Sequence, residues 1–140
     1  MLTADDAKLV ADAGHIYLDL ADERWRATLS TLTDLYRTRR DAMLEALEEH
    51  FPSGSTWTRP AGGFYVWVTI PEYLNTSSML AAAVEHRVAY VPGTAFYPDD
   101  RGRDRMRLAF CYPPQDRIRE GVARLGALLQ DEEQLYRSMR

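Results

Sequence analysis

Between Glu23 and His50 the apolar residues fall at Trp25, Leu29, Leu32, Leu35, Tyr36, Met43, Leu44 and Leu47. Steps of three and four place them along one side of a helix, which Phe51-Pro52 stops because proline brings no backbone N–H and clashes with the preceding turn. The pattern then changes period. Pro52-Ser53-Gly54-Ser55 reads as a turn, Thr56-Trp57-Thr58 as a short strand, and Pro60-Ala61-Gly62-Gly63 as a break. Residues 64–70 are apolar on both alternating faces, which predicts a central strand covered on each side.

Pro71 ends that strand, and Asn75 to Ser78 supplies the short polar side chains that open helices, here one carrying Met79, Leu80, Ala83 and Val84 toward the core. Residues 88–91 form a second β-branched and aromatic run closed by Pro92-Gly93. In residues 105–112, Met106, Leu108, Phe110 and Tyr112 alternate with Arg105, Arg107, Ala109 and Cys111, so the arginines point away from the face that carries the large apolar groups. Pro113-Pro114 leads into a last helix with Ile118, Val122, Leu125, Leu128 and Leu129 on one stripe. The N-terminal segment 1–22 is expected to hold a short helix, with Thr3 and Asp6 spaced as a capping box and the helix ending near Ala13. Residues 131–140 are expected to fray as a tail. The order α-β-β-α-β-β-α predicts an α+β fold, a small sheet packed on helices, within one unit spanning 23–130.

Composition narrows the function classes. The 140 residues are 46% hydrophobic and 27% charged, enough for one modest core. No apolar run approaches the roughly 20 residues that cross a bilayer, and the first residues lack a signal pattern, so a cytoplasmic location is expected. The single Cys111 has no internal disulfide partner and reads as a small packing residue. Net charge is -4, and the cluster Arg101, Arg103, Arg105 and Arg107 is interleaved with Asp99, Asp100 and Asp104, which argues against a nucleic-acid surface. His15, His50 and His86 are too far apart in sequence to suggest a zinc site, and no nucleophile elbow or phosphate-binding glycine loop occurs. Gly62-Gly63 and Pro92-Gly93 mark tight turns or close backbone approach without an assigned chemical role.

Five ordered blocks carry a resemblance: Arg39 to Met43, Trp57 to Val68, Val91 to Tyr97, Arg107 to Phe110, and Ile118 to Leu125. Together they resemble the C-terminal small domain of class I/II, fold-type I, pyridoxal-phosphate-dependent aminotransferases, nearest the branch of 2-aminoadipate and kynurenine-type enzymes and MocR-type effector domains. From alternation alone Arg107 is a solvent-facing strand arginine. The resemblance implies that it binds a substrate α-carboxylate, a task suited to a planar guanidinium with paired in-plane N–H donors.

The resemblance also implies a pyridoxal 5'-phosphate cofactor, held by a lysine, an acidic partner and a phosphate cup that belong to the family's large domain. Of the 17 basic residues all but Lys8 are arginine, and Lys8 precedes every matching block. The expectation is a carboxylate-binding small domain, inactive and without bound cofactor when alone, that pairs with a large-domain partner chain or with further copies of itself. The alternative is a non-catalytic binding or interaction module, a MocR-like or decayed aminotransferase remnant.

Overall fold

The computed structural model describes residues 23–99 and 101–139, with side chains from residue 28 onward. The expected helix near Ala13 lies outside the described residues. Two units divide the chain, Met1–Leu35 and Tyr36–Arg140. Three helices and four short strands follow in the order α1 (Glu23–His50), β1 (Thr56–Trp57), β2 (Tyr65–Thr69), α2 (Thr76–Glu85), β3 (Val91–Pro92), β4 (Arg105–Ala109) and α3 (Gln115–Ser138), with a 3-10 turn at Gly93–Phe96. This is the expected α-β-β-α-β-β-α order.

In the first unit, Leu29, Leu32 and Leu35 of α1 lie at the surface. Periodicity defines a helix face but not what covers it. In the second unit the same helix buries Ala42, Met43, Ala46 and Leu47.

The sheet runs β1-β2-β4-β3, every neighbouring pair antiparallel. One face builds the core. Val66 and Val68 of β2 and Met106 and Leu108 of β4 meet the α1 residues, Met79 and Ala83 of α2, and Ile118, Val122, Leu125, Leu128 and Leu129 of α3. Phe110 is 1% exposed and continues this face beyond β4, its N–H donating to the Phe64 carbonyl at 3.0 Å. Burying one such side chain contributes about 1.5–3 kcal/mol.

The opposite face corrects the expectation that β2 is covered on both sides. Tyr65 is 43% exposed, and Trp67 and Thr69 are half-buried. Tyr112 is also corrected. It is 90% exposed instead of joining Phe110, because regular strand ends at Ala109 and alternation stops assigning faces soon afterwards. Val84 of α2 is 57% exposed, leaving Met79 and Ala83 as that helix's fully buried apolar contacts.

Residues 88–90 are not strand. The chain leaves α2 through Arg87 at φ 60°, the Val88 N–H donates back to the Ala83 carbonyl, and Tyr90 turns into the core, where its hydroxyl donates to the Thr76 carbonyl at 2.6 Å. Ladder pairing begins only at Val91. Pro92 is tolerated there because β3 is an edge strand. Helix α2 opens as its sequence predicts, the Asn75 side chain accepting hydrogen bonds from the Ser77 and Ser78 amides.

Helix α3 does not fray at residue 131 but continues through Ser138. Tyr73 pins its last turns, stacking on Tyr136 with ring centroids 4.5 Å apart and donating its hydroxyl to the Glu133 carboxylate at 2.7 Å. That bond raises the Tyr73 hydroxyl pKa and holds the Glu133 carboxyl below the usual carboxylate range. No helix among the described residues is long and apolar enough to cross a membrane.

Candidate functional site

Antiparallel register brings the site together on the open face of the sheet. Arg107 stands opposite Trp67 of β2 on one side and Val91 of β3 on the other, and Tyr65 stands two pairs along on the same face, opposite Ala109. Opposed residues share a face, so one cation is set into a row of aromatic and apolar side chains. The 3-10 turn adds Phe96, 43% exposed, whose ring meets Trp67 edge-on at 5.1 Å.

Arg107 is half-buried. Its guanidinium carbon lies 4.1 Å from the Tyr65 ring centroid and 4.9 Å from that of Phe96. Among the described residues no carboxylate pairs with it. Its neighbours in the arginine cluster differ. Arg101 bonds Asp99 and holds that carboxyl below the usual range, while Arg105 lies 3.7 Å from Asp104 and donates to the Tyr97 hydroxyl at 2.7 Å. Of the interleaved acids, Asp99 and Asp104 thus engage Arg101 and Arg105, and Arg107 is left to the rings.

The 3-10 turn is locked against β4. A Cβ on Gly93 would meet the Gly102 carbonyl oxygen at 2.4 Å and the Arg105 Cβ at 2.7 Å, so only glycine lets these backbones touch. Gly63 turns at φ 82° ahead of β2, whereas Gly62 has open space around it. The sequence expectation of close approach or a tight turn therefore applies to Gly93 and Gly63.

At the end of the strand, Arg39 of α1 donates from Nη1 to the Cys111 carbonyl, tying the helix to the segment just beyond β4. Its Nε is buried without a hydrogen-bond partner. Cys111 is half-buried. His50 is half-buried at the end of α1 and His86 is exposed, and no cluster of three metal-ligating side chains occurs among the described residues. His15 lies outside the described residues.

The sequence singled out Arg107 as a candidate but not Tyr65, Trp67 and Phe96, which the structure places around it. Alternation within β2 puts Tyr65 and Trp67 on one face, yet only the register with β4 shows that this is the arginine's face. Phe96 rides on a turn with no periodic signature. Fold-type I aminotransferase chemistry through pyridoxal phosphate requires an amine to hold the cofactor as an imine. The described residues contain no lysine, so they do not fit that role, and no step through the cofactor follows from them.

No family model matches the chain. Aromatic-amino-acid aminotransferase 1 of Thermococcus litoralis is 48% identical over 101 residues, covering 72% of this chain and 24% of that protein. LysN, the α-aminoadipate aminotransferase of Thermus thermophilus, solved in complex with N-(5'-phosphopyridoxyl)-L-leucine, superposes with a TM-score of 0.77 at 34% identity, covering 84% of this chain and 30% of that one. The kynurenine aminotransferase of Pyrococcus horikoshii superposes with a TM-score of 0.68 at 47% identity, covering 71% of this chain and 24% of that one. Two uncharacterized HTH-type transcriptional regulators of Bacillus subtilis match as well. The chain spans about a quarter of the length of the curated relatives it matches. Built on the same arrangement of three helices and a four-stranded antiparallel sheet, it is homologous to the C-terminal portion of the fold-type I aminotransferases and belongs to that family.

Proposed function

We propose that this chain provides the carboxylate-binding part of an aminotransferase site, with Arg107 taking the α-carboxylate of an amino acid or 2-oxo acid. The carrying observation is a half-buried guanidinium on the open sheet face that no described acid neutralises. Such a group can offer two parallel N–H donors to a carboxylate, with the surrounding rings keeping water away from part of the contact. Pyridoxal phosphate and its lysine would come from a large domain outside the matched region, and the assembled reaction would be amino-group transfer. The exposed rings of Tyr65, Phe64 and Phe96 are the natural seat for that domain or for another copy of the chain, since apolar groups clustered at a surface favour association.

The test is a titration of the chain with 2-oxoglutarate followed by amide NMR. Shifts are expected around Arg107, Tyr65, Trp67 and Phe96 in the wild type and are lost in Arg107→Leu. Equal binding by both proteins would overturn the assignment. Mixing the chain with pyridoxal phosphate is expected to give no imine absorption band that Lys8→Arg removes. A second reading, an effector-binding module without catalysis, draws support from the matches to the transcriptional regulators. Carboxylate binding that persists without any transaminase activity after reconstitution with a lysine-bearing large domain would favour it.

A further inference from the structure

We propose that Tyr65 and Phe96 are positioning residues that hold the Arg107 guanidinium ready for a carboxylate while leaving its hydrogen-bond donors free. This rests on the carboxylate reading above and gives the site its orienting device.

A flexible arginine side chain gives up rotamer freedom when its guanidinium is fixed on each binding event. An acid placed beside Arg107 would fix the side chain but would consume the N–H groups that a substrate needs. Aromatic rings hold a cation differently. Their faces attract it through the ring quadrupole, at distances up to about 6 Å, and accept none of its in-plane hydrogen bonds. The guanidinium carbon lies within that reach of both rings, at 4.1 Å from the Tyr65 centroid and 4.9 Å from that of Phe96.

The rings are themselves held. Phe96 meets Trp67 edge-on at 5.1 Å, and its turn is fixed at one end by the crowded Gly93 and tied to α2 by a 2.9 Å hydrogen bond between the Thr94 and Ser77 hydroxyls. Tyr65 meets Phe64 at 6.4 Å, and Phe64 meets Tyr36 of α1 at 5.0 Å. Two unrelated parts of the chain, a strand and a turn well downstream of it, thus converge on one cation. Packing alone does not demand this, since both rings are 43% exposed and neither belongs to the core.

The test uses the whole chain. In nitrogen-15 NMR the Arg107 Nε–H signal, identified by its loss in Arg107→Lys, is expected upfield of the free-arginine position because of the ring currents. It should stay there in Tyr65→Phe and move toward the free position in Tyr65→Leu and Phe96→Leu. Affinity for 2-oxoglutarate should fall about three- to tenfold in each leucine variant and stay within about twofold in Tyr65→Phe. A free-arginine signal in the wild type overturns the proposal without any variant being needed. So does unchanged affinity in both leucine variants when their β4 amide signals match the wild type. If Arg107→Lys and Arg107→Leu bind 2-oxoglutarate as the wild type does, the carboxylate reading fails, while the ring-current shift still reports whether the rings hold the arginine.

Discussion

Leu108 and Arg107 are adjacent in one strand and live in different worlds. Leu108 is 5% exposed among α-helical side chains, while Arg107 sits half-open among rings. The two faces of the sheet divide the work of the molecule. The face of Val66, Val68, Met106 and Leu108 is buried in the core, whereas the face of Tyr65, Trp67 and Arg107, with Phe96 beside it, stays partly open. Because side chains alternate with period two, one five-residue strand serves both ends without compromise.

Substitutions should separate the faces. The largest effect is expected on the closed face, where Phe110→Ala should cost about 3–5 kcal/mol in chemical denaturation, since it empties a fully buried site. A loss under about 1 kcal/mol would show that this face is not the main source of stability. Next comes Tyr90, whose hydroxyl is pushed up to about 12 mainly by burial, with the Glu132 charge adding to it. An unfolded tyrosine ionises near 10, so its contribution is complete below that pH and is lost as pH rises through the window from about 10 to 12. Stability should therefore fall in that range by on the order of 1 kcal/mol per pH unit. Tyr90→Phe should flatten the slope, and an unchanged slope would remove Tyr90 as its cause. The smallest effect belongs to the open face. Arg107→Leu should change stability by no more than about 0.5 kcal/mol while abolishing carboxylate binding. A large loss of stability there would mean that the two faces are coupled.

Much of this division was written in the alternation of β4, which placed Met106, Leu108 and Phe110 inward and Arg107 outward. Helix α1 was legible from its period, and the start of α2 from Asn75. The failures have a common origin. Leu29, Leu32, Leu35, Tyr65 and Val84 all have the apolar character of core residues, but hydrophobicity does not state what, if anything, packs over them. Tyr90 lies outside its expected strand, buried in the core with its hydroxyl on the Thr76 carbonyl 14 residues back, a contact that no local pattern contains. The last turns of α3 meet Tyr73, 60 residues from its partner Glu133, a pairing that no local pattern contains. For the candidate site, family resemblance pointed to the arginine, while register and an aperiodic turn supplied the rings around it.

Edge strand β3 has a consequence for how the protein meets others. Only two residues long, with a proline as one of them, it offers an incoming strand almost no ladder to extend. A strand laid against that border would find little backbone to pair with, so sheet extension there has almost nothing to build on.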